Sequence, residues 1–271
     1  SPYWLSYPEI TRLAGAVPIS IQSSPKNDFK ISIEKLEERI NDNTRLLVLN
    51  SPGNPTGRVM SRQEIEEIAF FLRRHPRISV ISDEIYEYLI SKKENHLSIG
   101  KIAPDLSNRI FIVNGFAKAW AMTGWRIGYL VGPEDIISKA IALQSQSTSN
   151  VCSFAQKGAL AALLGSRSCV DKMVETYNKR REFLVEGLKE IQGIYLYEPR
   201  GAFYAFPQIN IGNMTSIEIC KMSLEKVGLA MVPGAAFGED SCLRISCSAS
   251  TDSIRDGISR FKTLINYLRE I

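Results

Sequence analysis

Three short apolar runs, at residues 46–49, 78–82 and 110–113, constrain the fold of this chain more than any other feature. Each stops at a polar or turn-forming residue, and runs of this length bounded in this way read as buried strands. Between the first two, Ser61-Arg-Gln-Glu64 is a capping box that opens a helix reaching Arg74. An amphipathic helix is expected over residues 32–40, ahead of the first run. Strands alternating with helices imply an α/β chain with a mostly parallel sheet and crossover helices. In open sheets of this kind, ligands bind beyond the carboxyl ends of the strands.

Before the first run, residues 7–13 read as a short helix stopped near Gly15, and the alternation at 17–22 reads as a strand. After the third, a short apolar run at 127–131 is followed by helices over 133–146, 152–164 and 170–191. From Ile194 the pattern changes to strands at 194–197, 202–206, 229–232 and 242–246 around a helix at 216–226, with a last helix over 252–268. With 271 residues the chain can form a large and a small domain. The expectation is a large domain over 1–180 and a smaller C-terminal α+β domain over 181–271.

Composition narrows function by exclusion. The formal net charge is +4, with basic residues spread along the chain, so no nucleic-acid footprint is read. Arg73-Arg74 and Lys179-Arg180-Arg181 read as solvated helix faces. No apolar run approaches the roughly 18 residues of a membrane span, and no signal peptide is visible. The five cysteines, Cys152, Cys169, Cys220, Cys242 and Cys247, show no metal-ligand spacing. Reduced thiols in a cytoplasmic setting are expected, and no metal site.

The third run leads into a turn-rich segment that carries Lys118 and, eight residues later, Arg126, with Gly115, Gly124 and Gly128 around them. Glycine beside a cation lets backbone approach a ligand closely, so the segment suits something phosphorylated that also needs an amine. A basic surface loop is the plain alternative. Asp83 follows the second run, where a carboxylate could pair with a protonated ring nitrogen, or simply cap a helix. Tyr86 alone reads as core, Asn54 as part of a turn, and Trp4 as a core aromatic. Arg244 lies inside the apolar run 242–246, and a guanidinium there needs a partner.

Three segments, in this order, resemble the class I aminotransferases, which use pyridoxal 5′-phosphate (PLP). They are Asn50-Ser-Pro-Gly-Asn-Pro-Thr-Gly57, Ser82-Asp-Glu-Ile-Tyr86, and the glycine-rich segment with Lys118 and Arg126; the resemblance continues to the C-terminus and is greatest to aspartate aminotransferases. It implies the PLP-transferase fold, with PLP on Lys118 as an imine and its phosphate on Arg126. It implies Asp83 at the ring nitrogen, Tyr86 and Asn54 at the ring oxygen, and Trp4 stacked on the ring. Asn54 also borders the substrate, and Arg244 would grip its α-carboxylate with a bidentate fork. The implied substrates are an L-amino acid, aspartate first, and a 2-oxo acid such as 2-oxoglutarate, handled by a homodimer. A PLP-dependent lyase or synthase, or an inactive fragment, would share these residues. Two departures stand out. Gly115 occupies a position where many members have a phosphate-binding serine. The N-terminal third of the family, with its glycine-rich phosphate loop, has no counterpart in this chain. Expressed alone, the 271 residues are therefore expected to hold PLP weakly and to transaminate poorly.

Overall fold

A computed structural model describes residues 1–270. The chain forms two compact units. One, the sheet unit, comprises Ile40–Pro52 and Met60–Glu175. The other, the C-terminal unit, gathers Ser1–Arg39, Gly53–Val59 and the chain from Thr176 onward. The leading stretch carries helices α1 (Ser6–Leu13) and α2 (Ile33–Arg39).

The sheet unit is built on strands β1 (Leu46–Asn50), β2 (Ser79–Asp83), β3 (Ile110–Gly115) and β4 (Gly128–Val131), in that spatial order. The first three are parallel, with Leu47 opposite Val80 and Val80 opposite Ile110. Strand β4 returns antiparallel to β3, which makes the sheet mixed at this edge. Helix α3 (Arg62–Arg74) starts on the capping box read from the sequence. Ser61 N donates to Glu64 Oε2 at 3.0 Å, and Glu64 N donates to Ser61 Oγ at 3.3 Å. Ile65, Ile68, Phe71 and Leu72 recur at helical spacing and are buried. Full burial of each contributes about 1.5–3 kcal/mol. At the helix's far end Arg109 donates to the carbonyls of Leu72, His75 and Ile78 at 3.0, 3.0 and 2.7 Å, which satisfies acceptors a helix end leaves open. A short helix α4 (Ile99–Ile102) leads to β3.

Helices α5 (Glu134–Ser147) and α6 (Ser153–Leu164) follow β4, and α7 (Ser168–Lys189) crosses from one unit to the other. Leu130 and Val131 on β4, Ile141 and Leu143 on α5, and Leu160 and Leu164 on α6 are all exposed.

In the C-terminal unit, β6 (Tyr204–Ala205), β9 (Leu243–Ser246) and β8 (Val232–Pro233) form one small sheet, with β9 central. Strands β5 (Ile194–Tyr195) and β7 (Gln208–Ile209) form another. Helix α8 (Ser216–Met222) runs on into a π-helical turn that Gly228 ends at φ 64. Helix α9 (Thr251–Glu270) brings Phe261, Leu264, Ile265 and Leu268 into the core against Leu184 and Leu188 of α7. A second cluster joins Phe29 to Phe206, Phe237 and Cys242. Phe29 thereby ties the leading stretch to residues more than a hundred positions away.

Two sequence expectations fail here. Residues 17–22 form no strand; Val17 and Ile19 are 80% and 59% exposed. Alternation is stable as a strand only where a neighbour supplies a ladder, and among the described residues none does. The run Lys179-Arg180-Arg181 is not a solvated face throughout, because Arg181 is only 4% exposed. It lies three, four and seven residues before Leu184, Val185 and Leu188, so the helix turns it onto their buried face.

Candidate active site

The parallel register sets Asn50, Asp83 and Val113 side by side at the carboxyl ends of β1, β2 and β3. Asp83 is half-buried and ends its strand. Its Oδ1 accepts from Ile85 N at 3.2 Å, closing a turn instead of capping a helix. Its carbonyl accepts from Ser51 N at 3.2 Å and from Asn50 Nδ2 at 3.1 Å. The carboxylate therefore rises from a backbone pinned on both sides. Tyr86 is buried, and Lys118, from the loop after β3, is half-buried with Nζ 5.7 Å from the centre of the Tyr86 ring. Arg126 is exposed at φ 53, and its Nη1 donates to Thr123 O at 3.0 Å.

Sequence reasoning passed over the group behind Asp83. Glu84 is buried, and its Oε1 accepts from Ser82 Oγ at 2.8 Å and from Ser98 Oγ at 2.9 Å. His96 Nε2 lies 3.0 Å from the other oxygen, Oε2. A carboxylate next to the motif aspartate and a histidine twelve residues on were the available signal; nothing in their spacing shows that they meet. Nearby, burial together with Glu87, Tyr88 and Glu84 pushes the Tyr129 hydroxyl up to about 12, so it stays protonated.

Two of the three glycines in this segment have a packing role. A Cβ on Gly115 would lie 2.8 Å from Gly128 Cα and 3.0 Å from Ile127 O. These two glycines let β3 and β4 approach each other.

Asn54 and Arg244 belong to the C-terminal unit, where Arg244 Nη1 donates to Asn54 Oδ1 at 3.1 Å. The Arg244 guanidinium stacks over Tyr204 and Phe237, 4.7 and 4.9 Å from the ring centres. These contacts hold a cation inside β9 through its face and one N–H. Trp4 is half-buried in the same unit, edge-on to Tyr7 at 5.3 Å. Asp83, Tyr86, Lys118 and Arg126 all belong to the sheet unit, where Lys118 and Tyr86 adjoin, and Asn54 meets Arg244 in the C-terminal unit. An amine, a carboxylate, a phenol and a guanidinium form a donor set that fits PLP, which presents an aldehyde, a basic ring nitrogen, a ring oxygen and a phosphate.

The sequence profile of the family described as "Aminotransferase class I and II" matches residues 1–261. An aspartate aminotransferase of Pinus pinaster is 43% identical over 99% of this chain and 57% of its own length. A Petunia hybrida protein is also 43% identical, over 97% of this chain and 57% of its own length. It is named a bifunctional aspartate aminotransferase and glutamate/aspartate-prephenate aminotransferase. The chain therefore spans little more than half of these plant relatives. The structure of Thermus thermophilus aspartate aminotransferase with maleate is 37% identical and superposes with a TM-score of 0.92 over 97% of this chain and 68% of that one.

Proposed function

We propose, from the fact that this chain belongs to the class I and II aminotransferase family, that it serves PLP-dependent transamination between an L-amino acid, aspartate first, and a 2-oxo acid such as 2-oxoglutarate. The observation that carries this reading is that Lys118 Nζ lies 5.7 Å from the centre of the Tyr86 ring, in segments that follow β3 and β2, with Asp83 the last residue of β2. The domain reading goes with it: a PLP-binding domain over 1–180 and a small domain over 181–271.

When bound, PLP supplies an aldehyde that takes up amines and a ring that draws electrons from the bond being broken. Lys118 would hold the cofactor through its amine, and the same amine, when free, would serve as the base that takes the substrate α-proton. The Asp83 carboxylate would accept a hydrogen bond from the protonated ring nitrogen and favour the cationic ring. Tyr86 and Asn54 serve the ring oxygen, Arg126 the phosphate, and Trp4 the ring face. Arg244 takes the α-carboxylate with the N–H groups that Asn54 does not occupy. A homodimer and a cytoplasmic setting belong to the same reading; the exposed apolar side chains of α5 and α6 and the five free thiols support them. Among the described residues no helix is long and apolar enough to cross a membrane.

The test is covalent trapping. After incubation of the intact protein with PLP, borohydride reduction and dialysis, cofactor absorbance should stay on the wild-type protein and be lost from Lys118→Ala, with turnover lower by several orders of magnitude. Covalent cofactor retained by the variant would remove Lys118 from its role. The petunia relative's name makes prephenate a second oxo acid to assay.

A further inference from the structure

Arg181 is a buried cation with neutral partners. Its Nη1 donates to the carbonyl of Ala202 at 3.1 Å and its Nη2 to Asn178 Oδ1 at 2.5 Å. Burial holds its pKa below the ordinary guanidinium value, against the opposing pull of Cys247 and Glu182. Setting a guanidinium against neutral oxygens in an apolar core is unfavourable, because little there replaces its lost hydration. A fold that keeps one gains something other than stability from it.

The carbonyl it holds belongs to a turn in a conformation that L-residues avoid. Ala202 is buried at φ 53, where its Cβ crowds the following carbonyl. On one side of Ala202, the amides of Arg200 and Gly201 both donate to Gly57 O, at 2.9 and 2.7 Å. Gly57 N donates in turn to Gly53 O at 2.8 Å, closing the loop that carries Asn54. On the other side, Tyr204 enters β6, pairs with Ser246 of β9, and lies 4.7 Å beneath the Arg244 guanidinium. One guanidinium thus fixes the peptide whose two arms reach both members of the Asn54–Arg244 pair.

We infer that Arg181 is a positioning residue for the carboxylate grip of Arg244 and Asn54, acting through Ala202 and Gly57 without touching substrate. The inference rests on the transaminase reading. Two measurements on the intact protein separate the two. In the cofactor-free protein, Arg181→Met fills a similar volume without donors, and the Arg200 and Gly201 amides should lose hydrogen-exchange protection while those of β1–β3 keep theirs. In the PLP-loaded protein, maleate affinity measured by calorimetry should fall about tenfold, the loss of roughly one charge-assisted hydrogen bond's worth of order, with PLP affinity unchanged. Arg181→Lys, with one donor able to reach Ala202, should lie between. Unchanged amide protection, or deprotected amides with unchanged maleate affinity, overturns the inference. If Arg181→Met does not fold, Arg181→Lys decides, and wild-type protection or affinity in it overturns the inference. A wild-type protein that binds neither PLP nor maleate defeats the transaminase reading itself, and this inference with it.

Discussion

Gly57→Ala is the substitution for which the structure gives the sharpest magnitude. Gly57 sits at φ 66, and a Cβ there would lie 2.5 Å from Pro199 Cβ, 2.7 Å from Gly201 O and 3.0 Å from Tyr204 O. The left-handed backbone alone costs alanine about 1 kcal/mol. The clash has two outcomes. If the loops stay, overpacking against backbone costs about 1–3 kcal/mol. If they part, the bonds from Arg200 N and Gly201 N to Gly57 O are lost, at about 0.5–1.5 kcal/mol each. Either way the sum is on the order of 3 kcal/mol. Urea denaturation at matched PLP concentration should show a lower midpoint with an unchanged slope. Asn54, three residues away in the same loop, would shift from Arg244, so affinity for the proposed amino-acid and oxo-acid substrates should fall with stability. A stability change below about 0.5 kcal/mol, the range of an ordinary surface substitution, would refute the reasoning, since it would mean that these contacts relax without consequence.

Arg244→Lys keeps the charge and loses both the fork and the flat face over Tyr204 and Phe237. Affinity for amino and oxo acids should drop together by about 10–100-fold at unchanged PLP content, and an unaltered half-reaction rate at low substrate removes Arg244 from the carboxylate role. Burial raises the Cys242 thiol to about 12 and those of Cys220 and Cys247 to about 11, from 9.0. The folded state holds these protons more tightly than the unfolded one, so their contribution is complete below about pH 9 and is lost as pH rises toward 11–12. Cys247→Ala should flatten part of the alkaline loss of stability, and a slope identical to wild type counts against the shift. Near neutral pH a thiol reagent should modify the exposed Cys152 and Cys169 first, whereas equal reactivity of all five thiols would contradict the burial.

What the sequence made legible is what regular elements carry. The runs ahead of Asn50, Asp83 and Asn114 are apolar because parallel strands pack side chains on both faces, which marks local composition even where, as at Leu46, one residue is exposed. Ser61 and Glu64 announce α3 for a similar reason: the capping contacts lie within one turn. Residues 17–22 carry the same kind of mark, but a strand is a property of two segments, and one segment's alternation cannot report that its partner is missing. The direction of β4 was hidden likewise, since an apolar run has no polarity of its own. The bond between Arg244 and Asn54 spans 190 positions. No period or spacing reaches that far, and only the resemblance to the family suggested the two roles.

The same contrast explains why the residues proposed in the sheet unit and those proposed in the C-terminal unit should respond differently to mutation. Asp83 ends β2, and Tyr86 and Lys118 follow β2 and β3, strands with four or five paired residues each, so the ladder fixes Asp83 and the points from which the other two segments leave. Arg244 stands in β9, whose neighbours β6 and β8 are two residues long. Two-residue strands fix register poorly. Arg244 pairs with Val232, and single side-chain contacts set its guanidinium: Asn54 at its edge, Tyr204 and Phe237 at its faces, and the turn at Ala202 ahead of Tyr204. Removing one rung of a long ladder leaves several others in place, whereas β9 has only two paired residues with each neighbour. Losses of carboxylate affinity should therefore follow conservative changes at Gly57, Arg181 or Tyr204, residues that touch no substrate. Comparable changes among the paired residues of β1–β3 should lower stability before they disturb the geometry at Lys118.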